Sequence, residues 1–326
     1  MEKSNVLYVG EIFNELKEIV NFYNEDNFNI NFLEDKEDKK KALEEAKYLL
    51  TGNDKITEDI MNAARNAVLI QNTGVGCDNI NLDYASKKNI PVANAPKSNS
   101  IAVAELTIGL ILALYRKIIY FNKTTKAGEW HMWNLRPDCF ELNEKKHGII
   151  GFGEAGKQVA VRSKAFGTTV FYYDKFKATK EEEEKLGVSY LSFEEIIKTS
   201  DILSIHVPLL PETKNLLEAR EFKLMKKNAI IINVSRGGIV NEKEMYDSLI
   251  AGEFAGGALD VWGEEPVKKD NPLLTLEQVI STPHIGAGTL DTMKRVYQIC
   301  FENIKRMEKG KRPQHVVNEV ETIALS

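Results

Sequence analysis

The sequence predicts two α/β domains, each a doubly wound parallel sheet covered by helices on both faces. Short, continuous apolar runs alternate with amphipathic stretches from residue 6 onward, the pattern of strands buried on both sides and joined by crossover helices. A glycine-rich turn stands mid-chain with about 145 residues ahead of it, enough for a separate domain. At 326 residues the chain can bury two ordinary cores.

Strands are expected over residues 6–9, 29–33, 48–50 and 68–70. A helix with Ile12, Leu16, Ile19 and Val20 on one face follows the first, and helices over 39–46 and 57–62 lie between the others. Ser98, Asn99 and Ser100 form a capping cluster that opens one long helix from Ile101 to about Tyr120. That helix is apolar almost all round, so it should be buried between layers or against another subunit, and it is read as the crossing into the second domain. Further strands are expected over 149–150, 170–173, 202–206, 229–234, 258–261 and 279–281, with a last helix from Leu290 to about Lys309 that returns to the first domain. The expected division is a domain of residues 1–98 and 289–326, interrupted by one of residues 99–288. Two such crossings make a cleft, and open α/β sheets bind ligands at the carboxyl ends of their strands.

Composition narrows the function. Residues are 43% hydrophobic and 28% charged, with a net charge of −5 and the two signs interspersed, which speaks against a nucleic-acid or anionic-membrane surface. Cys77, Cys139 and Cys300 are odd in number and lack a C-x-x-C spacing, so a reducing compartment and no metal cluster are expected. The N-terminus (Glu2, Lys3, Ser4, Asn5) does not read as a signal peptide, and the longest apolar stretch, 101–115, is too short to span a bilayer and contains Glu105. A cytoplasmic protein is expected. The four glutamates at 181–184 read as a solvated helix start.

The mid-chain turn is the most specific signal. After the apolar run at 149–150 come Gly151, Phe152, Gly153, Glu154, Ala155 and Gly156, a G-x-G-x-x-G pattern, then a helix, a second strand and Asp174, eighteen residues past Gly156. Gly151 suits a tight turn, Gly153 lets the backbone approach a pyrophosphate, and Gly156 lets the helix pack close to the sheet. Asp174 can accept hydrogen bonds from an adenosine ribose and would repel a 2′-phosphate, so NAD is expected over NADP. Lys175 and Lys177 follow and could soften that repulsion.

Three charged residues lie just past later strands of the same sheet. Arg236 follows an apolar strand and precedes Gly237 and Gly238; only nine of the 43 basic residues are arginine, so its placement stands out. A guanidinium there can grip a planar carboxylate in bidentate fashion. His284, with Glu265 as its acid, suits a general acid, because a carboxylate stabilises the imidazolium and fixes its tautomer. Singly, Arg236 reads equally well as a structural arginine and Glu265 as a loop acid before Pro266; the ordered trio beside a dinucleotide turn is what points to chemistry. His131, His147 and His315 read as surface or core histidines, while His206 ends a strand where the adenine side of a cofactor site would lie.

These blocks together resemble the D-isomer-specific 2-hydroxyacid dehydrogenase family over essentially the full chain. The resemblance rests on residues 72–78 (NTGVGCD), 103–107 (VAELT), the Gly151 turn, 233–238 (NVSRGG), 258–261 (ALDV) with Glu265 and Pro266, and 282–285 (TPHI). It implies a flavodoxin-like substrate domain interrupted by a Rossmann NAD-binding domain, and a catalytic trio falling on Arg236, Glu265 and His284. It further implies that the loop of Thr73, Gly74, Val75 and Gly76 binds the substrate carboxylate through backbone amides. Asp260 would meet the nicotinamide carboxamide. His206, Val207, Pro208, Thr213, Val234 and Ser235 would complete the NAD site with the Gly151 turn and Asp174. The implied reaction is hydride exchange between NAD(H) and a small 2-oxo or 2-hydroxy acid, in a homodimer whose contact involves the region of Trp130 and Trp133. The chain departs from the family pattern at Lys97, Ala155 and Asn241, none of them in the trio; Lys97 bears on the substrate-side loop. Formate dehydrogenases of this fold carry Gln where Glu265 stands. NAD(H)-sensing corepressors keep a similar trio and are the non-enzymatic alternative.

Overall fold

The structure, a computed structural model, describes residues 3–24, 28–52 and 54–321; Glu2 lies outside them. The chain forms two compact units, Met1–Asn99 with Thr289–Ser326, and Ser100–Gly288. Both are built on wholly parallel sheets, as the apolar runs predict.

The first unit has five strands: β1 (Asn5–Val9), β2 (Asn29–Phe32), β3 (Tyr48–Thr51), β4 (Leu69–Asn72) and β5 (Val92–Ala93), in the order β2-β1-β3-β4-β5. Successive side chains point to opposite faces, and both faces are covered. Val6, Tyr8, Tyr48 and Leu50 pack with α1 (Asn14–Phe22) and with Val296, Tyr297, Cys300, Phe301 and Ile304 of the C-terminal helix. Leu7, Val9, Leu49 and Ile70 pack with Leu43 of α2 (Lys39–Glu45), Met61 of α3 (Glu58–Ala63) and Ala85 of α4 (Leu82–Lys87). This double burial is why these strands read as continuous apolar runs rather than alternating ones. The two-residue β5 escapes the sequence pattern because it is shorter than any period it could display.

The second unit opens on α5 (Ser100–Tyr115), and here the expectation of a single helix to about Tyr120 is corrected. Lys117 takes the left-handed conformation (φ 52°) and a second helix, α6 (Ile118–Lys126), starts after it. A left-handed residue breaks the i→i−4 ladder, and no glycine or proline marks it in the sequence. The seven strands are β6 (Lys146–Ile150), β7 (Thr169–Tyr173), β8 (Ser189–Tyr190), β9 (Ile202–Ile205), β10 (Ile230–Asn233), β11 (Gly256–Leu259) and β12 (Val279–Ser281), in the order β12-β11-β10-β9-β6-β7-β8. The connecting helices are α7 (Glu154–Ala165), α8 (Lys180–Leu186), α9 (Phe193–Thr199), α10 (Ala219–Leu224) and α11 (Glu242–Ile250). Ile202, Ile230, Ile232 and Ala258 face Val103, Ile108 and Ile111 of α5, so much of that apolar helix is buried within this unit, while Ile101 stays exposed. Leu203, Ile205, Ile231 and Leu259 face Phe222, Met245 and Leu249 on the other side. The chain returns to the first unit through α12 (Leu290–Glu308), whose first turn is capped by Thr289. Among the described residues no helix is long and apolar enough to cross a membrane. Cys139 and Cys300 are free thiols.

Because all strands of the second unit run parallel, their carboxyl ends share one edge. The Gly151 turn, Asp174, His206, Arg236, Glu265 and His284 all follow strands at that edge.

Candidate active site

The glycines of the fingerprint have distinct surroundings. Gly151 has φ 94°, and a Cβ there would strike the backbone of His206 and Val207. A Cβ on Gly156 would meet the carbonyl of Gly151, which is how α7 seats so close to β6. Around Gly153 nothing lies within 4 Å of an added Cβ, and Gly153 is the N-cap of the twelve-residue α7. Open space at a glycine that starts a helix fits a pyrophosphate, which needs close backbone approach and helix N-terminal amides. Asp174 is oriented from both sides: Oδ2 accepts from the Phe152 amide at 2.7 Å and Oδ1 from the Phe176 amide at 2.9 Å. Its two neighbouring lysines are engaged elsewhere, Lys175 with Glu212 at 3.8 Å and Lys177 over the Tyr190 ring at 3.9 Å. Glu154 occupies the first turn of α7, and Ala155 turns into the core beneath α5. Thr213 closes the loop after β9, donating to the Pro208 carbonyl at 2.6 Å and accepting from the Leu210 amide at 2.7 Å.

His206 is joined to a buried polar chain. Its Nε2 and that of His147 both lie 2.9 Å from the Ser204 hydroxyl, and His147 Nδ1 lies 2.8 Å from Ser163 Oγ. His206 Nδ1 is buried with no partner among the described residues, an orphaned polar atom beside the fingerprint that fits a ligand group. Burial pushes both imidazoles down to about 3 from 6.5, and for His147 the nearby His206 adds to it. The unfolded chain then binds more protons than the folded one between about pH 6.5 and 3. Stability is therefore fully present above that window and is lost as pH falls through it, by up to about 1.4 kcal/mol per pH unit for each histidine. We expect His147→Gln to flatten this slope in a series of thermal melts from about pH 7 to 4. A slope that the substitution leaves unchanged would contradict the assignment.

Arg236, Glu265 and His284 sit on three loops, each following a strand. Asn233, 1% exposed, shapes the first: its Oδ1 accepts from the Ser235 amide and hydroxyl at 3.2 and 2.9 Å, and its Nδ2 donates to the Arg236 carbonyl at 3.0 Å. The Arg236 guanidinium donates to the Ser235 carbonyl at 2.8 Å, and Val234 is buried beneath the turn. Glu265 is divided between two partners, Oε1 accepting from the Trp262 amide at 3.0 Å and Oε2 lying 2.8 Å from His284 Nδ1. His284 has a left-handed backbone (φ 55°), and its amide donates to the Asp260 carbonyl at 2.7 Å. With Nδ1 on Glu265, Nε2 is the nitrogen left to act outward.

Asp260 is fully buried and accepts from Thr282 Oγ1 at 2.6 Å and from the amides of Ile285 and Gly286 at 2.8 Å each. It ties down the loop that carries His284 on both sides of that residue.

In the first unit, the loop of Thr73, Gly74, Val75 and Gly76 follows β4. Its carbonyls are held by the protein: Gly74 by the Ala95 amide at 3.0 Å, Val75 by Asn94 Nδ2 at 2.6 Å and Gly76 by Asn72 Nδ2 at 2.5 Å. The amides of Gly74, Val75 and Gly76 have no acceptor among the described residues, as an anion-binding loop requires. Thr73 is anchored by its amide and hydroxyl to the Thr51 carbonyl. Lys97 lines a groove with Arg295, Gln298 and His315. Sequence reasoning missed Asn72, Asn94 and Asn233 as supports, since each acts on a backbone carbonyl or amide that leaves no mark in a motif. Trp130 and Trp133 are 80% and 62% exposed, and the Arg136 guanidinium lies 3.8 Å over the Trp133 ring.

Residues 108–286 match the family described as D-isomer specific 2-hydroxyacid dehydrogenase, NAD binding domain. The chain is 43% identical to the D-3-phosphoglycerate dehydrogenase of Methanocaldococcus jannaschii across 81% of its own length and 50% of that protein's. It is 35% identical to the glyoxylate reductase of Aeropyrum pernix, covering 98% of this chain and 97% of that one. The chain thus spans about half the length of the phosphoglycerate dehydrogenases it matches. Among solved structures, the NAD-dependent formate dehydrogenase of Staphylococcus aureus in complex with NAD superposes with a TM-score of 0.83 at 28% identity, over 97% of this chain and 100% of that one.

Proposed function

The chain belongs to the D-isomer specific 2-hydroxyacid dehydrogenase family, and from that membership we propose that it catalyses the reversible, NAD-dependent reduction of a 2-oxo acid to a D-2-hydroxy acid. The observation that supports this best is the 2.8 Å pairing of His284 Nδ1 with Glu265 Oε2 at the sheet edge that also carries the dinucleotide fingerprint. When bound, NADH supplies the hydride that C2 of the substrate receives.

The chain's own residues do the rest. Arg236 holds the substrate carboxylate and polarises the C2 carbonyl, and the amides of Gly74, Val75 and Gly76, with Thr73 beside them, take the carboxylate as well. His284 Nε2 gives its proton to the developing alkoxide, and Glu265 stabilises the imidazolium and keeps Nδ1 occupied. Asp260 keeps the His284 loop in place and meets the nicotinamide carboxamide. Gly151, Phe152, Gly153, Glu154, Ala155 and Gly156 form the pyrophosphate turn, Asp174 takes the ribose hydroxyls and disfavours a 2′-phosphate, and His206, Val207, Pro208, Thr213, Val234 and Ser235 line the remaining cofactor surface. In this reading Ser100–Gly288 is the NAD-binding domain and the other unit supplies the substrate loop. The exposed Trp130 and Trp133 support a homodimer, and the free thiols of Cys139 and Cys300 support a cytoplasmic setting. Relatives named as dehydrogenases and reductases favour catalysis over sensing.

The test is NADH oxidation across a panel of 2-oxo acids, repeated with NADPH for the best of them. Turnover of one or two members, faster with NADH, is expected. Tight NADH binding with no turnover on any member would contradict the proposal.

A further inference from the structure

One buried residue touches all three catalytic loops. Trp262 follows β11 and is 5% exposed, the tryptophan that lies in the core while Trp130 and Trp133 lie outside. Its carbonyl lies directly against Gly237, the residue after Arg236, where any Cβ would collide with it. Its amide donates to Glu265 Oε1 at 3.0 Å, the oxygen of that carboxylate that His284 does not use. Its indole Nε1 donates to the Thr282 carbonyl at 3.2 Å, two residues before His284. The first two contacts are made by backbone and any residue could supply them. The third is made by the side chain, whose N–H lies at the far edge of a large planar ring.

The geometry points to Trp262 as a positioning residue for the proposed reaction, one that sets the His284 loop against the Glu265 carboxylate while its main chain fixes the Arg236 and Glu265 loops. The inference rests on the dehydrogenase reading given above. In it, Asp260 and Trp262 divide the work: Asp260 binds the loop around His284 from Thr282 Oγ1, Ile285 and Gly286, and the indole holds the Thr282 carbonyl on the approach. Losing the indole N–H removes the hydrogen bond to that carbonyl and frees the approach strand to shift, and small misplacements of a proton donor are costly in rate.

Trp262→Phe tests this, since it keeps an aromatic ring, the backbone amide and most of the volume. With the best 2-oxo acid of the panel, kcat is expected to fall roughly tenfold, with KM for that acid and the NADH dissociation constant little changed. A purely structural role would lower thermal stability without that split. The second readout is independent of turnover. In ¹⁵N spectra of the whole protein, the His284 signal, identified by its loss in His284→Ala, should show the Nδ1-protonated tautomer in the parent and a mixture in Trp262→Phe. An unchanged tautomer, with or without a change in kcat, overturns the inference. A parent protein that reduces no 2-oxo acid would instead overturn the functional reading, and the tautomer comparison would still decide whether Trp262 positions His284.

Discussion

Replacing His284 is expected to lower kcat for 2-oxo acid reduction by about a thousandfold, within the range that a positioned general acid contributes. NADH binding should survive, because the fingerprint and Asp174 make no bond to this side chain. The choice of replacement matters. His284 has a backbone φ of 55°, so His284→Ala adds backbone strain to the loss of the imidazole. Asparagine tolerates this conformation, and His284→Asn should therefore be as inactive as His284→Ala but more stable. Equal inactivity in the two variants assigns the loss to the proton donor rather than to a collapsed loop. Near-parental turnover in either would sink the assignment.

The second large effect is expected at Arg236. Arg236→Ala should lower kcat/KM for the 2-oxo acid by roughly a thousandfold, shared between a higher KM and a lower kcat, because the same guanidinium grips the carboxylate and polarises the carbonyl. Arg236→Lys should rescue little, since an ammonium cannot reproduce the planar fork. The loop itself should persist in both variants. Asn233 holds the Arg236 carbonyl and the Ser235 amide, and Gly237 is lodged against Trp262, so none of these supports uses the guanidinium. Steady-state kinetics beside NADH titrations decide the matter: an unchanged KM and kcat, or a loss of NADH binding in step with activity, would contradict the role.

Much of this site is legible in the sequence because its chemistry is local. The fingerprint glycines sit at fixed offsets in one βα turn, and Arg236, Glu265 and His284 each follow an apolar strand whose end can be read from composition. Parallel strands then bring these ends to one edge without further information. What is not legible depends on partners distant in sequence. The bonds of Asp260 to Thr282, Ile285 and Gly286 leave no mark in its motif, and only the geometry shows them. Asn72 and Asn94 matter through carbonyls they hold, and Trp262 through a carbonyl twenty residues away. The break between α5 and α6 falls at a lysine, a residue with no preference for left-handed backbone, so the apolar pattern runs through it. Strands β5 and β8 are two residues each and have no period to read.

The most direct measurement is the fate of a deuterium carried by NADH at the transferable position, with the product of the best 2-oxo acid resolved by chiral chromatography and mass spectrometry. The account predicts a D-2-hydroxy acid with deuterium at C2, formed by the parent protein and not by His284→Asn. An L-configured product, or a product without the label, would contradict it.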